Sequence, residues 1–281
     1  MSPPGTRPRP AARKPRRAPW ATSCEAAALL LLLAAVLAGP LLAPGDPAQP
    51  QGLPWSPPDG GHWLGTDVLG RDVLSRLVAG GSGLLAVALP AGLAASALGT
   101  AAGLAATRHA RTARVVLRGG AGLLAVPGLL VVLVCALAFD ARTAVLAGML
   151  LVGTPLSARV VYATAAPLAR AGFVQAAVVR GEGPVAIAVR ELLPAVSGTV
   201  LADAGLRVVG ALQLTAAVSV LGLGPQPPAT DWALMIKENL PAVSLNPAAA
   251  LAPALALALL ATTIAVGLDL LARRLSPETG R

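Results

Sequence analysis

The sequence predicts an all-α, polytopic membrane protein with six transmembrane helices, and three observations predict it. Hydrophobic residues fill 55% of the 281 positions and charged residues only 12%, a balance that suits burial in lipid and not a soluble domain. A hydropathy window of about 19 residues finds six apolar runs, at 25–44, 83–106, 115–138, 143–163, 197–222 and 247–271. The basic residues, finally, fall almost entirely in alternate connecting segments.

With a cytoplasmic amino terminus, the inside segments are 1–24, 107–118, 159–193 and 272–281, which hold 6, 4, 4 and 3 Lys or Arg, or 17 of the 22. The positive-inside rule therefore places both termini in the cytoplasm. The net charge of +9 then calls for no nucleic-acid partner.

Residues 1–24 carry Arg7, Arg9, Arg13, Lys14, Arg16 and Arg17 among prolines, the composition of an unfolded basic tail held near anionic headgroups. A cleavable signal is the rival reading for residues 1–40. Against it, the apolar run continues past Gly39 and Pro40, and its removal would leave five spans and upset the charge asymmetry. Cys24 and Cys135 are the only cysteines; on this topology they lie near opposite bilayer faces, beyond the roughly 7 Å reach of a disulfide.

Residues 45–76 form a Pro- and Gly-rich external segment ending in HWLGTDVLGRDVLSRL, from His62 to Leu77. Apolar Val68, Leu69, Val73, Leu74 and Leu77 recur at near-helical spacing, predicting an interfacial helix that enters the membrane. A plainer reading is a helix start capped by Thr66 or Asp67. In the second span Gly92, Gly99 and Gly103 leave a smooth surface for close helix approach, either as a subunit seam or as a chance product of alanine-rich sequence.

Asp203 and Arg207 stand four apart inside the fifth span. A lone charge at mid-bilayer costs about 2.5–3.5 kcal/mol on insertion scales, so pairing is expected. The pair either neutralises itself or lines a translocation path. After this span, Gly222 and Gly224 end the helix, Pro225, Pro227 and Pro228 prevent its resumption, and Trp232 with Met235 is expected to anchor a re-entrant or interfacial helix at the membrane surface.

The cytoplasmic segment 164–196 holds QAAVVRGEGPVAIAVRELLP, from Gln175 to Pro194. Residues 171–180 predict a short helix with Phe173, Val174, Ala177 and Val178 on one side. Gly181 and Gly183 break it, and Pro184 starts a second helix that Pro194 stops. Two short helices meeting at a glycine make a compact knob.

Here the chain resembles the inner-membrane permeases of binding-protein-dependent ABC importers, in the dipeptide, oligopeptide and nickel branch. Such permeases carry EAA, three residues, Gly, then LP; Gln175, Ala176, Ala177, Gly181, Leu193 and Pro194 fall at those spacings. Residues 62–77 resemble the branch's segment before the second span, including Gly65, Thr66, Asp67, Gly70, Arg71 and Asp72. Residues 219–235 resemble its signature after the fifth span, including Gly222, Gly224, Gln226, Pro227, Pro228 and Trp232. The resemblance covers about residues 20–275.

The resemblance implies a type I ABC importer permease bundle. It divides the chain into a basic tail (1–24), a first transmembrane helix (25–44), an external segment (45–76), a permease domain (77–275) with coupling loop 164–196, and a C-terminal tail (276–281). It implies two cytoplasmic ATP-binding subunits, a homologous second permease and an extracytoplasmic solute-binding protein. The substrate would be a peptide or related small solute, nickel chelates included. Gln175 replaces the leading Glu, Pro184 a frequent Asp, and Thr215 a Glu common in the fifth span.

The chain has no phosphate-binding loop of its own, because Lys14 and Lys237 lack the flanking Gly and Ser or Thr that such a loop needs. ATP hydrolysis is therefore assigned to another polypeptide, and no cofactor or metal site is expected: His62 and His109 lie in loops on opposite sides. The rival classes are an ion-driven secondary transporter, which would need more midplane charge and internal repeats, and a membrane scaffold without transport.

Overall fold

The computed structural model describes residues 19–275. The expected tails over 1–18 and 276–281, and the Cys24 side chain, lie outside the described residues. Helices and turns make up the rest, and no strand occurs among the described residues.

Helix α1 (Pro19–Leu42) leads into the segment over residues 43–72, and α2 (Val73–Ala106) returns through the bundle centre. A tight turn precedes α3 (Ala110–Leu124) and α4 (Gly128–Ala138), and α5 (Ala141–Leu168) follows. The elbow comprises α6 (Gly172–Val179), α7 (Pro184–Ile187), a π turn over Ala188–Leu192, and α8 (Leu193–Ala195). Then come α9 (Ser197–Val220), the short α10 (Trp232–Asn239) and α11 (Pro247–Leu275).

Four of these helices, α2, α5, α9 and α11, are long and apolar enough to cross a membrane. The window at 25–44 falls largely within the 24-residue α1, and the window at 115–138 yields only a short apolar helix, Gly128–Ala138. The break in the second of these windows has a local cause. Pro127 has no N–H to continue a helix and disfavours helical geometry at Val126, so the chain stops at Leu124 and restarts at Gly128. The preceding piece carries Arg111, Arg114 and Arg118 on one exposed face, while Gly120 on the other side lies against Pro155 of α5.

Helix α2 is the hub, packed chiefly on α5 and α9. Its glycines make this approach possible: a Cβ at Gly92 would lie 2.5 Å from the Val208 Cα, and one at Gly103 2.8 Å from the Ala158 carbonyl oxygen. Gly99 meets Ser157 and Thr154 in the same way. The smooth surface read from the sequence is thus used inside the chain, against α5 and α9. Leu84, Leu85, Met149, Val208, Leu212 and Ile264 fill the core around it. Leu251, Leu255 and Leu259 recur every fourth residue along the exposed side of α11, a stripe suited to lipid contact.

Two expected features fall differently. No helix begins at Val68: residues 65–71 are a non-helical turn region in which Gly65 and Gly70 take φ of +71° and +72°, left-handed values that favour glycine. The cap of α2 is Asp72, not Thr66 or Asp67; its carboxylate accepts from the Ser75 N–H at 2.7 Å. In the elbow, Pro194 does not stop the second helix. Its missing N–H and its ring disturb the preceding turn, which widens into the π turn Ala188–Leu192 before the chain continues through Leu193–Ala195.

Candidate functional site

The elbow α6–α8 is anchored from behind. Val174 and Ala177 of α6 are buried, and Val174 joins Leu104, Val161, Ala165, Leu192 and Val196 in a second apolar cluster that fixes the elbow to α2, α5 and α9. The predicted apolar side of α6 therefore splits, since Phe173 and Val178 are exposed. Gln175 and Ala176 face outward, Ala177 faces inward, Gly181 and Pro194 are exposed, and Leu193 is half-buried.

Between the two arms, Gly181 adopts φ +77° with open space where a Cβ would stand. Arg180 closes the bend by donating to Glu182 (Nε, 2.8 Å) and reaching Glu191 of the second arm (3.2 Å). Hydrogen bonding and charge from Glu182, with help from Glu191, raise the Arg180 pKa above its ordinary value. These exposed pairs contribute little stability, but they set the angle between the arms. Val178, Val179, Val185 and Val189 remain exposed along the elbow. A cleft of about 310 Å³ lies at its root, lined in part by Arg108, His109, Val174 and Ile187.

Within the bundle, Asp203 is buried and accepts from three helices. Arg207 Nε reaches Oδ1 at 3.2 Å, Ser96 Oγ of α2 reaches Oδ2 at 3.2 Å, and Ser157 Oγ of α5 makes a short bond to the same oxygen. The two side chains pair within α9, and the carboxylate also ties α2 and α5 to α9. Three donors on a buried carboxylate give it the partners that burial demands.

At the opposite end from the elbow, the motif at residues 62–77 and α10 interlock. Asp67 is fully buried, accepting from the backbone N–H groups of Leu69 and Arg71 and from Arg71 Nε at 2.7 Å. Arg76 pairs with the same carboxylate. Glu238 of α10 then receives Arg71 Nη2 at 3.0 Å and Arg76 Nη1 at 2.7 Å. Thr66 Oγ1 donates to the Leu53 carbonyl and accepts from the Ser56 N–H. The two N–H bonds of the Asn246 amide are shared among the carbonyls of Ser56, Leu64 and Thr66.

Trp232 belongs to this assembly and not to the membrane surface, which corrects the anchor expectation. It is 5% exposed and Met235 is fully buried. The indole lies flat on Gly80 and Gly81 of α2, and its Nε1 donates to the Leu77 carbonyl at 2.6 Å. A glycine pair offers the flat face that a buried indole needs, and the carbonyl satisfies its N–H. Gln226 closes the preceding turn by donating to the Gly222 and Gly224 carbonyls, while Pro227 and Pro228, joined by a cis peptide bond, sit exposed at its tip.

Sequence reasoning thus finds Asp67, Arg71 and Trp232 but misses what they hold. Ser96 is a single polar residue in an apolar run, Glu238 stands between Lys237 and Asn239, and neither these nor Asn246 and Ser157 show in the sequence which distant partner they meet.

A model of the family described as binding-protein-dependent transport system inner membrane component matches residues 95–279. The chain is 31% identical over 202 residues to the glutathione transport system permease protein GsiD of Pectobacterium atrosepticum, covering 71% of this chain and 67% of that protein. The same permease from Escherichia coli O6:K15:H31 is 30% identical, with 70% and 65% covered. A protein described as a peptide transport system permease in Brucella suis biovar 1 is 29% identical over 213 residues, with 75% and 72% covered. The chain spans about two-thirds of the length of the glutathione-transport relatives. With its apolar helices, it is a multi-pass membrane protein. It belongs to the family of binding-protein-dependent transport system inner membrane components, the permeases of ABC importers, in which ATP hydrolysis resides on a separate subunit.

Proposed function

We propose that the chain forms half of the translocation path of an ABC importer for peptides or a closely related small solute. The relatives named for glutathione and peptide transport favour such a solute over nickel. A homologous second permease supplies the other half, and two cytoplasmic ATP-binding subunits drive the pair. The solute-binding protein delivers its cargo to the assembly built from residues 45–76 and α10. Both termini and the elbow lie in the cytoplasm, as the basic residues indicate.

The observation that carries this reading is the elbow: its back is packed on three bundle helices, and its front leaves Val178, Val179, Val185 and Val189 exposed. An apolar front on an anchored back takes a push from a partner and passes it to the bundle as a rigid body. Because Gln175 stands where relatives of this kind often have Glu, the contact rests on shape more than on charge.

Gly181→Trp is the test. The substitution puts a large side chain where no neighbour stands, and a side chain at positive φ adds about 1–2 kcal/mol of strain. Membrane insertion should persist while co-purification of the ATP-binding subunit is lost. Deleting residues 175–194 should do the same, and recovery of that subunit at wild-type levels from both variants would show that the elbow is not its socket.

A further inference from the structure

At the end of the bundle that carries α10, a cavity of about 130 Å³ lies between α2, α5, α9 and the turn before α10. A water needs only about 10–15 Å³ by this measure, and a cavity of about 150 Å³ takes a benzene ring. The space therefore fits a group of several heavy atoms. Val87, Val145 and Val218 give it apolar walls, and Thr215, Ser219, Asp231 and Arg142 bring polar groups to it, the composition of a small-molecule site.

Two of these groups are charged and incompletely used. Asp231 is 2% exposed; its Oδ1 caps α10 by accepting from the Ala233 and Leu234 N–H groups, but Oδ2 has only Ser219 Oγ at 3.5 Å. The nearby Arg71 and Arg76 pair with Asp67 and Glu238, although Arg76 Nε and Nη2 stay buried without a hydrogen-bond partner, so two guanidinium groups stand among three carboxylates. One buried carboxylate is left in excess. Burial accordingly pushes the Asp231 carboxyl above its ordinary pKa, against the hydrogen bonds from Leu234 and Ala233 and the field of Arg76. Arg142, at the start of α5, is exposed; its backbone N–H donates to Asp140 at 3.1 Å, while its guanidinium makes no ion pair among the described residues.

We propose that this cavity is a subsite for a zwitterionic solute, with Asp231 accepting its ammonium and Arg142 donating to its carboxylate. The inference rests on the peptide reading above and deepens it: the permease itself reads the free termini of a short peptide as it passes. Thr215 and Ser219 supply hydroxyls to the same space, where a second carboxylate would repel the solute's own.

The test uses the assembled importer in proteoliposomes, with Cys24 and Cys135 replaced by Ser and Ala229→Cys placed in the cavity wall. Maleimide labelling of that cysteine should be slowed by dialanine, and N-acetyl-dialanine or dialanine amide should need about tenfold higher concentration, the effect of losing one charge-assisted hydrogen bond. Asp231→Asn retains a residue that caps as well as Asp, so the helix start survives while the charge is lost. In that variant dialanine and its N-acetyl form should protect equally. In Arg142→Gln, dialanine and its amide should protect equally. ATP-dependent dialanine uptake is measured in the same vesicles. Uptake without protection, or with the terminal preference unchanged in both variants, overturns the subsite and leaves the importer reading standing. Absence of both uptake and protection ends the peptide reading and the subsite together.

Discussion

Asp203 shows how much one side chain can hold in a bundle made mainly of alanine, valine and leucine. Its carboxylate gathers Arg207, Ser96 and Ser157 from three helices. Asp203→Ala leaves the Arg207 guanidinium without its acid, and breaking a buried pair from one side costs about 3–5 kcal/mol. Thermal unfolding in detergent should show a clear loss of stability, and the double variant Asp203→Ala, Arg207→Leu should recover most of it. Equal loss in the single and double variants would mean that the serines, not the ion pair, hold the site. At this scale the sequence showed the pair through its i,i+4 spacing, but not the serines. They lie 107 and 46 positions away, and no local pattern links residues so distant. The cap of α2 was misplaced for a related reason: Asp67 and Asp72 both look like caps, and only the fold turns Asp67 inward to meet two arginines.

Among the elements, the elbow was the most legible, because Gly181 and Pro184 mark a break and a restart by backbone chemistry alone. Its π turn was not, since it arises from the demand Pro194 makes on the turn before it. The interlocked 45–76 segment was legible only in its own half. Its partner α10 shows little apolar periodicity, and the contact depends on Trp232 meeting a glycine pair some 150 positions earlier. Asn246 fastens this segment by sharing its two amide N–H bonds among three carbonyls of the 56–66 stretch. Asn246→Ala removes those donors, at about 1–3 kcal/mol for an acceptor left unsatisfied, although the Ser56 carbonyl keeps the Thr66 N–H. Limited proteolysis should then cut within residues 45–65 faster than in wild type while the bundle stays intact. An unchanged digestion pattern would place the segment's stability elsewhere, in the ion pairs to Glu238.

For the whole molecule, orientation is the property that basic residues predict and that can be read directly. Leu53 and Val179 are both exposed, at opposite ends of the bundle. In a background lacking Cys24 and Cys135, a membrane-impermeant maleimide should label Leu53→Cys in intact cells and Val179→Cys only in inverted vesicles. The reverse pattern would place both termini outside. Of the six apolar runs, four correspond to helices long and apolar enough to cross a membrane, and hydropathy concealed that the third run is divided at Pro127 and that α2 occupies the centre, because it reports length and not neighbours. Helix α2 runs unbroken for 34 residues, about 51 Å at the α-helical rise, with Trp232 and the paired charges gripping one end and the elbow's apolar cluster touching Leu104 near the other. On the proposed coupling it would serve as a lever: pivoted at the gripped end, a tilt of about 5° would sweep the far end by roughly 4 Å. Pro90 lies midway along the shaft, where one backbone hydrogen bond is missing, so the stroke delivered across the membrane depends on how stiffly that single turn resists bending.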